Sequence, residues 1–162
     1  MILFSRDKFF HLGIQSLVNK NHSSYIDVIL LDSSRFLYII NSQWFYKQNF
    51  KTPLSALLYC SMFMHNRDIT LNTFLKIINY NSKIKYPVVV KKLTAAELKV
   101  INAIYNGDES RDIASRYERS DKTINLHKNR ALHKLGVRNI SMLHNLLSFW
   151  EVVLTDLNNH NV

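Results

Sequence analysis

The residues best placed to do chemistry lie in SDKTINLHKNRALHKLGV, Ser120 to Val137. At about 100° per residue, Ile124, Ala131 and Leu135 fall on one side of a helix. Lys122, Asn125, Leu126, Asn129 and His133 fall on the other. Arg130, Lys134 and His127 flank one edge. Lys128 lies near the apolar side and must carry its ammonium outward along its stem. Two amides, one apolar side chain and a surround of cations suit a DNA major groove. Asn pairs with adenine, Leu meets a thymine methyl, and Lys or Arg holds phosphates. A solvated helix face carries the same residue types, and the pattern alone leaves both readings open.

The elements around this stretch have clear punctuation. Thr94 with Glu97 makes a capping box before an apolar stripe of Leu98, Ile101 and Ile104 or Tyr105. Asn106-Gly107 ends that helix. Asp108 can cap a short helix carrying Ile113 and Ala114. Ser120 caps the next, over 121–135, and Gly136 stops it. Asn139 or Ser141 opens a fourth, reaching about Leu154. Short helix, tight turn, longer helix is a helix-turn-helix order.

The N-terminal part reads differently. Residues 2–4 form a short strand, and a helix follows with Phe9, Phe10, Ile14, Leu17 and Val18 at helical spacing, capped by Asp7 or Ser5. Residues 25–31 and 36–40 read as buried strands. Residues 54–64 fit strand or helix, and 70–78 fit an amphipathic helix. This alternation predicts an α/β unit over 1–79. Residues 80–92 hold Pro87 and four lysines and read as a linker, with a short strand at 88–90 or a basic arm on a phosphate backbone. A helical domain fills 93–155.

Composition bounds the rest. The chain has 162 residues, 47% hydrophobic content and net charge +9, which fits a folded protein with a polyanionic partner. The charge is +8 over residues 1–92, +3 over 93–139 and −2 after that, so bulk charge does not locate the binding face. The lone Cys60 allows no internal disulfide and fits a reducing cytoplasm. No run is long enough to span a bilayer, and MILFSRDKFF is not a signal peptide. The seven histidines have no metal-ligand spacing, so neither metal nor other cofactor is expected. No nucleophile–base pair, paired carboxylates or phosphate loop suggests an enzyme.

Residues 93–139 resemble the LuxR/FixJ-type helix-turn-helix family of bacterial transcription regulators. The matching residues are Leu93-Thr94, Glu97, Val100-Ile101, Gly107, Ile113-Ala114, Ser120, Lys122-Thr123-Ile124, His127 and Lys134-Leu135-Gly136-Val137. The resemblance implies that helix 121–135 enters the major groove of double-stranded DNA. Asn125, Leu126 and Asn129 would read bases. Arg111, Lys122, Thr123, Lys128, Arg130 and Lys134 would hold phosphates. Arg119 stands where an apolar residue precedes the capping Ser, so the turn must pack differently, on the ring of Tyr117.

The fourth helix has more apolar surface than one core needs. Ile140, Leu143, Leu146, Leu147 and Trp150 make one stripe, and Met142, Phe149, Val152 and Val153 add to it. Such a helix contacts two partners or is fully buried. The resemblance implies a homodimer contact through Met142, Leu146, Phe149 and Val153, with packing on the N-terminal domain as the alternative.

The segment ILFSRDKFFHLGIQSLV resembles the opening strand and helix of a response-regulator receiver. Receivers place paired acids after that strand to hold Mg²⁺; here Ser5 and Arg6 stand there. Asp32 ends DVILLD, but too early in the chain for a phosphoacceptor, and Asn41 takes that place if 36–40 is the matching strand. The lysine after the last strand is replaced by His65. These features imply a shortened, degenerate receiver-like domain, an atypical response regulator that works without phosphorylation. The alternative is an auxiliary protein that heterodimerises with another response regulator or titrates it.

Overall fold

A computed structural model describes residues 1–20, 27–81 and 92–159. Its strands are β1 (Ile2–Phe4), β2 (Val28–Asp32), β3 (Phe36–Asn41) and β4 (Met64–Asn66). The N-terminal helices are α1 (Lys8–Lys20), α2 (Ser42–Gln48), α3 (Pro53–Cys60) and α4 (Leu71–Asn81), with a 3₁₀ turn at Ser61–Phe63. The C-terminal helices are α5 (Ala95–Tyr105), α6 (Ser110–Arg116), α7 (Asp121–Leu135) and α8 (Ile140–Asn159). An α/β region therefore precedes a helical one, as the sequence pattern predicts.

The four strands form one sheet in the order β1-β2-β3-β4. β1 and β2 run parallel, with Leu3 beside Leu30. They are joined through α1, which gives the one βαβ unit that fits the receiver resemblance. The sheet then departs from a receiver's doubly wound parallel order. β2 and β3 are antiparallel, pairing Leu30 with Ile39, and β3 pairs antiparallel with β4. The connection Ser33-Ser34-Arg35 is too short for a helical crossover and forces a hairpin. Ser34 accepts φ 68° there, and its N–H bonds Asp32 Oδ1 at 2.9 Å.

Both faces of the sheet are covered, so every residue of β2 is buried and the strand reads as an unbroken apolar run. Val28, Leu30, Leu37 and Ile39 face α1 and α4. Ile29, Leu31, Tyr38 and Ile40 face α2, α3 and α8. Asp7 caps α1, accepting the N–H groups of Phe9 at 2.9 Å and Phe10 at 3.1 Å. Thr52 and Ser55 form a capping box for α3.

The second face decides how the two regions relate. Its core runs without a break from Ile29 and Tyr38 through Leu57 and Cys60 to Leu132, Leu135, Leu147 and Trp150. Trp150 is fully buried, with its ring edge-on to Tyr38 at 5.1 Å. Met142, Leu146 and Val153 are buried and Phe149 half-buried in this core. The side chains expected to contact a second copy thus lie inside the chain, and the alternative, packing on the N-terminal region, is what the structure has. The physical reason is plain: the sheet has a second apolar face, and α8 is long enough to cover it. The expected linker 80–92 begins later than predicted, because α4 runs to Asn81, whose amide donates to Ile39 O at 2.6 Å. Its strand at 88–90 lies outside the described residues.

Candidate nucleic-acid interface

α5, α6 and α7 close on a small core of Val100, Ala103, Ile104, Ile113, Ala114 and Ile124. Local sequence dictates each boundary. Thr94 and Glu97 form the predicted capping box at α5. Gly107, at φ 94°, ends it with Gly107 N–H on Ile104 O and Asp108 N–H on Ala103 O, both at 3.0 Å. Those two bonds are a Schellman motif. Asp108 does not cap α6 as expected. The cap position is Glu109, without a side-chain bond, and Asp108 instead pairs with Arg116 at 2.6 Å.

The turn between α6 and α7 repeats the same motif without glycine. Glu118 N–H bonds Ser115 O at 3.2 Å and Arg119 N–H bonds Ala114 O at 2.9 Å. Glu118 therefore adopts φ 51°, a conformation that disfavours a Cβ. Arg119 is exposed, and Tyr117 is the residue that packs onto the small core. Lys99 lies over its ring at 5.9 Å. The departure noted in the sequence is thus met by Tyr117, as expected.

α7 opens on Ser120, whose hydroxyl accepts Thr123 N–H at 3.2 Å, with Asp121 in the positive first turn. It closes on Gly136 at φ 72°. A Cβ at Gly136 would stand 3.0 Å from Met64 Cε, the movable end of a flexible side chain, so it is the positive φ of the turn that calls for glycine here. Ile124, Ala131, Leu132 and Leu135 are buried. The opposite face meets solvent: Lys122, Asn129, Arg130 and His133 are exposed, and Leu126 is 47% exposed. The N-terminal region packs behind α7 and leaves this face open.

The expected DNA-contacting residues fall into two groups. Lys122, Leu126, Asn129, Arg130 and, on α6, Arg111 are exposed. The others are engaged within the chain. Thr123 Oγ1 lies 2.9 Å from Ser120 Oγ. Lys128 Nζ donates to Asn125 Oδ1 at 2.6 Å, which resolves how the ammonium leaves the apolar side. Lys134 Nζ lies 2.6 Å from Glu97 Oε2 and 3.1 Å from Lys92 O. Burial raises the Glu97 carboxyl's pKa, but hydrogen bonds from Lys134 and Thr94 outweigh it and hold the group below its ordinary value. Sequence reasoning saw Glu97 as a cap and Lys134 as a phosphate contact, and missed that they are partners.

A second polar cluster sits at the end of the sheet. Arg67, just past β4, pairs with Asp7 and, at 3.3 Å, with Asp32. Ser5 Oγ donates to Asp32 Oδ2 at 2.7 Å. The Arg67 guanidinium lies over the Phe10 ring at 5.2 Å and holds the Asp7 carboxyl below its usual range. Asp32 has a side chain only 2% exposed, and both its oxygens are engaged. The cation after the last strand is Arg67, not His65, which is half-buried in β4 with its pKa lowered by burial.

Among the described residues, no helix is long and apolar enough to cross a membrane. No curated protein and no solved structure matches the chain. One family model does match: bacterial regulatory proteins, luxR family, over residues 91–146. The match spans α5, α6, α7 and the first turns of α8. The chain therefore carries a LuxR-family helix-turn-helix domain, the DNA-binding module of bacterial transcription regulators.

Proposed function

We propose that this protein is a sequence-specific transcription regulator that binds double-stranded DNA as a homodimer and does not depend on phosphorylation. The observation that carries the reading is the open face of α7. Leu126 presents an apolar side chain to solvent at 47% exposure, beside Asn125 and Asn129 and between the exposed cations Lys122 and Arg130. In the major groove, Asn125, Leu126 and Asn129 read base edges, while Arg111, Lys122 and Arg130 hold phosphates. Thr123, Lys128 and Lys134 border the same surface.

Phosphorylation independence draws support from the Asp32 cluster. Arg67 occupies the space beside Asp7 and Asp32, and a guanidinium there opposes a divalent cation. The homodimer is the part of the reading that sets the form of the DNA site. Two copies of α7 on successive major grooves match an inverted repeat.

The test is a titration of cognate and random duplexes with the full-length protein and with a triple alanine variant at Asn125, Leu126 and Asn129. The proposal expects the variant to bind both duplexes alike, at the level the wild type shows on random DNA. A variant that keeps its preference for the cognate duplex overturns the assignment.

A further inference from the structure

We infer that Lys128 orients Asn125 so that this position of α7 selects guanine over adenine. The inference rests on the base reading by α7 proposed above and narrows it to one base. Lys128 Nζ lies 2.6 Å from Asn125 Oδ1, one turn back along the helix. An ammonium carries donors only, so the Asn125 amide must turn its oxygen toward Lys128 and its Nδ2 away. Both residues are half-buried, and a hydrogen bond with an ionised donor is stronger than one between neutral groups. Among the described residues no carboxylate pairs with Lys128, so its charge stays at the edge of the reading face. The orientation of Asn125 is thus set before DNA arrives.

That orientation changes which base edge fits. A free asparagine pairs with adenine by accepting from N6 and donating to N7. At Asn125 the accepting oxygen already faces a cation. An adenine N6 amino group brought to that oxygen meets the Lys128 ammonium, donor against donor. Cytosine also presents an amino donor and fares no better, and thymine offers the single acceptor O4. Guanine presents two acceptors, O6 and N7, to the major groove. They suit the outward Nδ2 of Asn125, and the ammonium beside it adds favourable charge. Asn129 supplies an internal contrast. It lies one turn further along the same face, is exposed, and has no hydrogen-bond partner among the described residues. Its amide is free to turn either way, so the constraint acts at one base position and not at the other.

Selection of bound duplexes from a random pool tests this, run on the full-length wild type, Lys128→Met, Asn125→Ala and Asn129→Ala. Methionine keeps the apolar stem and the helix propensity of lysine and removes only the ammonium. The two alanine variants mark, by the preference each loses, the base position that each asparagine reads. At the Asn125 position the wild type should prefer guanine over adenine by about tenfold or more, a preference read without any variant of Lys128. Lys128→Met should level that preference or turn it to adenine, and leave the Asn129 position unchanged. Adenine at the Asn125 position in the wild type, or a guanine preference that Lys128→Met keeps, overturns the role of Lys128 and leaves base reading by α7 standing. An enriched sequence that Asn125→Ala leaves intact at every position also overturns it. A wild-type protein that enriches no sequence overturns base reading by α7 and this inference with it.

Discussion

Lys134 Nζ lies 2.6 Å from Glu97 Oε2, tying the last turn of α7 to the capping box of α5. The carboxylate is buried, at 3% exposure, and the ammonium is partly exposed. The pair thus fixes the angle at which α7 is presented. Lys134→Ala leaves a buried carboxylate without its cation and should cost about 2 kcal/mol of stability, reduced from a fully buried pair because Lys134 is partly solvated. Chemical unfolding at pH 7 measures it. Glu97 has a depressed pKa in the folded state, so its contribution is complete above the ordinary value of 4.5. It is lost as pH falls through the lower folded value. Lys134→Ala should therefore lose less stability than wild type between pH 5 and the acid limit of that window. An unchanged acid slope would contradict the pairing.

Glu118 holds a conformation that glycine prefers. Glu118→Gly should stabilise the chain by about 1 kcal/mol, because the positive φ no longer carries a Cβ penalty. Thermal unfolding reads this directly, and a lower melting temperature would contradict the strained turn.

Base reading and phosphate holding separate by salt. Asn125→Ala should cost about 1–3 kcal/mol on the cognate site and little on random DNA. Arg130→Ala should weaken both and reduce the slope of log affinity against log salt by about 1. Equal losses for Asn125→Ala on the two duplexes would remove it from the base-reading set.

At the end of the sheet, Arg67→Leu removes the cation from buried Asp32 and should cost about 3 kcal/mol. Acetyl phosphate with Mg²⁺ should leave the wild-type protein unlabelled, as read by intact mass. Label on Asp32 would contradict phosphorylation independence.

Trp150 joins the two regions in one core. Trp150→Ala should cost about 3–5 kcal/mol. Wild type should unfold in one transition, followed by the emission of buried Trp44 and Trp150 and by far-ultraviolet circular dichroism. Two separated transitions would mean that the regions fold independently.

The legible parts of this chain are those whose signals are local. Thr94 with Glu97, Gly107, Ser120 and Gly136 sit within one turn of the boundaries they set, so α5 and α7 could be placed closely. α2 was missed because no turn residue separates it from β3. Asn41 is both the last residue of the strand and the cap of the helix, accepting Trp44 N–H at 3.0 Å. β4 was missed because three residues at a sheet edge carry no periodicity. α7's polar face was legible because helical spacing alone assembles it. Partners distant in sequence were not: Arg67 meets Asp7 across sixty positions, and Lys134 meets Glu97 across 37. The apolar excess of α8 was visible, but a helix does not encode what covers it.

The most direct measurement is selection of bound DNA from a random duplex pool by the full-length protein at near-physiological salt. A regulator that reads bases through α7 should enrich an inverted repeat, and the alanine variant at Asn125, Leu126 and Asn129 should enrich nothing. A wild-type protein that enriches no sequence, and whose binding vanishes as salt rises, would contradict sequence-specific recognition.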